Sequence, residues 1–131
     1  MSIDRERAVC FTGHRALNDG DLARIRARLP ALLNRLIDEG FTDFLAGGAL
    51  GFDTMMAKTV LSVKKKVPRL RLVLILPCRD QAARWSPEDV RVYEEIKSQA
   101  DEVIYTADAY TDTCMLDRNR QLVDNSRFCI A

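Results

Sequence analysis

The chain has 131 residues, the size of one domain, and a chain of that length buries roughly two-thirds of its unfolded surface without help from disulfides or a metal. Hydrophobic residues make up 47% and charged residues 30%, which excludes intrinsic disorder. The 20 Lys and Arg against 19 Asp and Glu leave a net charge of +1, which argues against nucleic acid or an anionic membrane as partner.

Ala8–Thr12 (A-V-C-F-T) predicts a short strand that stops at Gly13. Leu22, Ile25, Leu29, Leu32, Leu33, Leu36 and Ile37 then recur at helical spacing up to Gly40, with Pro30 expected to kink or divide the helix. Phe41–Ala46 reads as a second strand and Asp53–Val67 as a second helix, closed by Pro68 after Lys64-Lys65-Lys66, a solvated last turn that complements the helix dipole. Leu70–Leu76 is nearly continuous and apolar, suiting a strand covered on both faces, and Pro77 is expected to end it. Ser86-Pro87-Glu88-Asp89 is a helix start, with Trp85 placed to staple onto Val90. Glu102–Thr106, a helix from Thr113 to Asp124, and a strand at Arg127–Ala131 complete the chain. This strict alternation implies a parallel sheet with right-handed crossovers and helices on both faces. No helix follows the fifth strand, so one face of it is expected to be bare; a shortened polypeptide is favoured over cover by a partner subunit.

Cys10, Cys78, Cys114 and Cys129 are far apart in sequence and only one histidine is present, so neither a zinc site nor a disulfide framework is expected, and Cys10 and Cys129 read as small hydrophobes. No run approaches the ~18–20 apolar residues of a membrane span. Residues 1–7 (M-S-I-D-R-E-R) are charged where a signal peptide needs an apolar stretch. A cytoplasmic single domain over residues 1–131 is the expectation, with no membrane partner and with homo-oligomerisation left open.

Ligands of open α/β sheets bind beyond the carboxyl ends of the strands, so the residues that follow each strand carry the chemistry. After the first come Gly13, His14 and Arg15: a sharp turn, a group able to transfer a proton, and a planar fork suited to phosphate or carboxylate. The other reading is a glycine turn with two solvated side chains. After the second come Gly47, Gly48 and Gly51 before Asp53, a loop whose amides can approach a phosphate at a helix start. It is neither a Walker loop nor the G-x-G-x-x-G fingerprint. Asp53 either caps the helix or accepts ribose hydroxyls. After the third, Gln81, Arg84 and Trp85 either wall a base pocket or serve the following helix. In the last helix, Asp117, Arg118, Asn119 and Arg120 cannot all face outward if Met115, Leu116, Leu122 and Val123 face in. Arg118 and Asn119 are the pair expected at the ligand edge, a surface ion-pair face being the alternative. No nucleophile–base pair emerges, so the residues alone point to anion or nucleotide binding with no cofactor and no metal.

Phe11–Arg15 (F-T-G-H-R), Gly47–Asp53 (G-G-A-L-G-F-D), Leu76–Trp85 (L-P-C-x-x-Q-x-x-x-W) and Met115–Ser126 (M-L-D-R-N-R-Q-L-V-D-N-S) occur in an order that resembles the YpsA-like proteins of bacteria and phages, a branch of the SLOG superfamily. The resemblance spans essentially the whole chain. It implies a Rossmann-like, three-layer α/β/α domain of about five parallel strands with a nucleotide-type pocket formed by Gly13, His14, Arg15, the Gly47–Asp53 loop, Arg118 and Asn119. Relatives in the superfamily include cytokinin-activating phosphoribohydrolases, DprA-like single-strand binders and domains proposed to sense nucleotide-derived signals. YpsA-like proteins continue past the fifth strand into a Gly-Gly-Thr loop and another helix, whereas this sequence ends at Ala131; a terminal helix is therefore expected to be lacking. The P-G-G-x-G-T-x-x-E motif of the phosphoribohydrolases has no match here. The leading expectation is a sensor or regulatory domain for a nucleotide-type small molecule. The alternatives are N-glycosidic cleavage of a nucleoside monophosphate, with His14 or Asp53 as acid or base, and single-stranded nucleic-acid binding, which the near-zero charge and 7% aromatic content disfavour.

Overall fold

A computed structural model of the chain describes residues 3–12 and 18–130. Strands β1 (Ala8–Phe11), β2 (Asp43–Ala46), β3 (Arg71–Cys78), β4 (Glu102–Ala107) and β5 (Phe128–Ile130) alternate with helices α1 (Asp19–Asp38), α2 (Phe52–Lys64), α3 (Pro87–Gln99) and α4 (Cys114–Asp124). The strands form one all-parallel sheet in the order β4-β3-β2-β1-β5. The α/β architecture expected from the alternation is the one observed.

Topology decides which helices cover which face. The steps β1→β2→β3→β4 all run one way across the sheet, so right-handed crossovers place α1, α2 and α3 on a single face. The return from β4 to β5 at the far edge puts α4 on the other. Side chains sort accordingly with period two. Val9, Phe11, Phe44, Ala46, Leu72, Leu74 and Leu76 pack with Leu33 and Leu36 of α1, Met56 and Val60 of α2, and Tyr93 and Ile96 of α3. Ala8, Cys10, Leu45, Val73 and Ile75 pack with Leu122 of α4. Phe11 and Phe44 stack at 5.9 Å between ring centres inside the larger core.

Several local expectations change. Pro30 does not divide α1, which runs unbroken from the Asn18 cap, whose side chain accepts from the Asp21 N–H at 2.7 Å. Both Pro30 and Arg26, whose carbonyl loses its partner, are exposed, so the freed acceptor belongs to a residue at the surface and not in the core. Pro77 lies inside β3 rather than ending it. The pairing with β2 is over by Leu74, and the pairing with β4 runs through Leu76 and Cys78, so no ladder bond is asked of the missing N–H. Lys64 is not a solvated end: it is ion-paired with Asp101, whose other oxygen accepts from the Leu72 N–H at 2.8 Å. Ser86 caps α3 as expected, accepting from the Asp89 N–H at 3.2 Å. The ring that Trp85 meets is Tyr93, edge-on at 5.1 Å. Cys10, Cys78 and Cys114 are buried but Cys129 is exposed, and β5 also leaves Phe128 half exposed.

The amino edge of the sheet is closed by a polar cluster that sequence reasoning missed. Asp43, buried at the start of β2, accepts from Arg71 at 3.2 Å, from the Asp4 N–H at 3.0 Å and from the Thr42 hydroxyl at 3.3 Å. Arg71 also reaches Glu102 at 3.1 Å. The available signal was an aspartate within an otherwise apolar strand, with an arginine and a glutamate at the starts of the next two. Among the described residues no helix is long and apolar enough to cross a membrane.

Candidate functional site

The carboxyl edge is built differently. Beyond β1, the Thr12 N–H donates to the Ile130 carbonyl at 2.9 Å; Gly13, His14 and Arg15 lie outside the described residues. Beyond β2 the chain turns through Gly48 and Gly51, at φ +74° and +80°, left-handed conformations that glycine adopts without steric cost. At Gly48 a side chain is also excluded by contact, because its Cβ would lie 2.3 Å from Leu76 Cδ2. Gly51 precedes α2 without a side-chain cap. The loop closes on itself: the Ala49 N–H donates to Asp53 Oδ2 at 3.2 Å, and the Thr54 hydroxyl donates to the Ala49 carbonyl at 3.0 Å.

Of the polar run on α4, Arg118 turns inward. Cys114, Arg118 and Leu122, spaced by four, form the buried stripe, while Met115, Leu116 and Val123, expected to face the sheet, are exposed. One helical stripe faces the sheet, and residues one position off it are rotated away by about 100°. The Arg118 guanidinium crosses the edge of the sheet to the loop that serves the opposite layer: Nη1 donates to the Gly47 carbonyl at 2.6 Å and Nε to Asn119 Oδ1 at 2.8 Å. A Cβ at Gly47 would lie 2.5 Å from Nη1, so the glycine makes room for the guanidinium. Arg118 and the diglycine bend, singled out separately in the sequence, are thus in contact. Asn119 is itself exposed.

Asp53 is 5% exposed, and its Oδ1 has no hydrogen-bond partner among the described residues. Burial pushes its carboxyl up to about 6 from the ordinary 3.8, against the opposing pull of Arg118 and the Ala49 N–H. Burial also lowers Arg118, with Asp53 holding it up. The carboxylate therefore titrates near neutrality and keeps one acceptor unused. Burial raises Cys78 to about 11 and Cys10 to about 12, so both stay thiols and neither is a ready nucleophile.

Beyond β3 a cleft of about 560 Å³ is lined by Cys78, Asp80, Gln81, Ala83, Arg84, Trp85, Tyr110 and Met115. It adjoins the glycine loop, since Gln81 Oε1 lies 3.7 Å from the position of a Cβ on Gly48. Gln81 and Trp85 were singled out in the sequence; Asp80, Tyr110 and Met115 were not, and only a contact across the β3–α3 and β4–α4 loops brings them in. On the far side of the glycine loop a second cleft, of about 610 Å³, runs along α2 past Leu50, Gly51, Thr54 and Lys58. Among the described residues no group of three His, Cys, Asp or Glu side chains is placed to hold a metal ion.

The family described as the YspA SLOG family (YpsA) matches residues 9–131. The chain belongs to this family. It is 37% identical over 80 residues to a UPF0398 protein of Bacillus pumilus (strain SAFR-032), covering 61% of this chain and 43% of that protein. It is 26% identical over 123 residues to the SPbeta prophage-derived protein YoqJ of Bacillus subtilis (strain 168), covering 84% of this chain and 72% of YoqJ. The match thus spans a little under half the length of the UPF0398 relative. Among solved structures, DNA processing protein A from Helicobacter pylori, described by its single-stranded DNA binding mode, superimposes with a TM-score of 0.63 at 18% identity, over 97% of this chain and 54% of that one. At that identity the likeness is one of fold.

Proposed function

We propose that this SLOG domain binds a nucleotide or nucleotide-derived small molecule at the carboxyl edge of its sheet and serves as a sensor or regulatory module. The observation that carries the reading is the Arg118–Gly47 bridge of 2.6 Å beside the half-satisfied, buried Asp53. Loop amides at Gly47, Gly48 and Gly51, with Arg15 following β1 in sequence, hold phosphate. Gly13 and His14, beside Arg15 in sequence, complete the phosphate end, Asp53 Oδ1 accepts a ribose hydroxyl, and Asn119 meets a further polar group. Three N–H groups of Arg118 are already engaged, by Gly47, Asn119 and the Met115 sulfur, so Arg118 acts on the ligand by fixing the loop.

Calorimetry or thermal-shift titration with AMP, ADP-ribose, NAD, cyclic dinucleotides and a short single-stranded oligonucleotide tests this. Binding of a small nucleotide below millimolar, weakened at least tenfold by Arg15→Ala, is the expected result. Silence from every nucleotide, or indifference to Arg15→Ala, overturns it. Preferential, salt-dependent binding of the oligonucleotide moves the reading to the nucleic-acid class of the structural neighbour. A second reading is favoured by Asp53 titrating at about 6: a carboxyl that exchanges its proton near neutrality suits general acid–base cleavage of an N-glycosidic bond. Free base released from nucleoside monophosphates, and lost in Asp53→Asn, supports that reading; no release removes it.

A further inference from the structure

The cleft beyond β3 differs in kind from the glycine loop. Trp85, Tyr110 and the Met115 thioether give its apolar walls, with Asp80, Gln81 and Arg84 among the polar groups beside them. Tyr110 is 62% exposed, a large aromatic surface in contact with water on a short connection, for which the core offers no use. The loop that carries it is fastened: its backbone N–H donates to Asp80 Oδ1 at 3.1 Å, and the Arg79 N–H donates to the Asp108 carbonyl at 3.2 Å. Trp85 is fixed edge-on against Tyr93. The Tyr93 hydroxyl donates to Gln81 Oε1 at 3.3 Å, so the Gln81 amide nitrogen keeps its two N–H donors. Flat apolar surface held rigid, with directional polar groups beside it, is what ring recognition requires, because stacking fixes the plane and hydrogen bonds fix the edge. Asp80 and Arg84 both line the cleft, so its charge is balanced; its aromatic and thioether surface suits the uncharged end of a ligand while the glycine loop receives the charged end. A volume of about 560 Å³ accommodates a purine together with solvent.

We infer that the cleft between the β3–α3 and β4–α4 loops is a nucleobase subsite, in which Trp85, Tyr110 and Met115 take the faces of a purine ring and Gln81 donates to its edge. This inference rests on the nucleotide reading of the glycine loop and adds to it the class of ligand: a purine nucleotide, not a bare sugar phosphate.

Trp85 is the single tryptophan of the chain, which makes it an internal reporter. The experiment titrates the full chain with AMP and, separately, with ribose 5-phosphate, following both tryptophan emission and heat. AMP is expected to quench emission and to bind at least tenfold more tightly than ribose 5-phosphate, as stacking of one base on an aromatic contributes. Tyr110→Ala, at an exposed position that keeps its backbone bond to Asp80, should weaken AMP about tenfold and leave ribose 5-phosphate unchanged. If ribose 5-phosphate binds as tightly as AMP, the base subsite is refuted while the phosphate reading of the loop stands. If AMP binds tightly but Tyr110→Ala and Met115→Ala both leave its affinity unchanged, the base sits elsewhere and the inference falls. If neither compound binds, the base subsite is refuted; the reading beneath it falls only when the other nucleotides are silent as well.

Discussion

A carboxyl group that titrates at about 6 instead of 3.8 makes the stability of the whole chain depend on pH in a direction opposite to ordinary acid denaturation. Between those two values the unfolded chain has released the Asp53 proton and the folded chain retains it. Since the pH slope of the unfolding free energy follows the protons bound in the unfolded state minus those bound in the native state, stability from this group falls as pH rises from about 4 to about 6 and is flat outside that window. The difference between the two titration points corresponds to about 3 kcal/mol. With a urea m-value of about 1.5–2 kcal/mol/M, that is a shift in midpoint of about 1.5–2 M. Asp53→Asn preserves an oxygen for the Ala49 N–H but cannot ionise. Urea denaturation of both proteins from pH 4 to pH 7.5 isolates the effect, because every other titrating group is common to them. Stability of the variant relative to wild type should rise by about 2–3 kcal/mol across the window, whatever its absolute offset from leaving Arg118 without its countercharge. Parallel curves would show that Asp53 ionises freely in the folded protein, and the picture of a buried, half-satisfied carboxylate would be wrong.

On the proposed reading a ribose hydroxyl donated to Asp53 Oδ1 favours the ionised form, so calorimetric affinity for NAD, whose phosphates do not titrate in this range, should increase from pH 5 to pH 7 by more in wild type than in Asp53→Asn. Gly48→Ala forces an L-residue to φ +74° with its Cβ 2.3 Å from Leu76; a loss of about 2–4 kcal/mol is expected in chemical denaturation. Gly47→Ala and Arg118→Met remove one shared contact by different routes, so a double-mutant cycle should show them less than additive, with a coupling of about 1–3 kcal/mol. Ser86→Ala, which removes the α3 cap, should cost about 1 kcal/mol without touching that cycle.

What the sequence disclosed, and what it withheld, divides by the range of the interaction. Strand and helix order, the Ser86 cap and the parallel sheet all rest on local pattern, and all were legible; the order of the strands across the sheet is a finding of the structure. Pro30 and Pro77 misled because a proline's cost depends on whether its neighbours need the missing bond. That depends on solvent at Pro30 and on where β2 stops at Pro77, and neither is written nearby. The inward turn of Arg118 could be argued only as a choice among four polar residues. Its partner, the Gly47 carbonyl, is 71 positions away, and no periodicity specifies it. Tyr110 escaped notice, and Met115 was read as facing the sheet, because the cleft they line exists only when two loops from different crossovers meet.

The two buried aspartates among the described residues are treated unequally. Asp43 and Asp53 are 3% and 5% exposed, at opposite edges of the same sheet. Asp43 is given an arginine, a backbone N–H and a hydroxyl, the treatment that a structural carboxylate needs to offset its desolvation. Asp53 receives one backbone N–H and the more distant field of Arg118, leaving Oδ1 unmet. A fold shaped only for stability has no reason to treat equally buried groups so differently, and unmet polar atoms in native proteins concentrate where something else is to be bound. The deficit sits at the edge where the glycine turns, Arg118 and the aromatic cleft converge. Among the described residues no group donates to Asp53 Oδ1, and on the proposed reading that oxygen is the acceptor for a donor carried by the ligand.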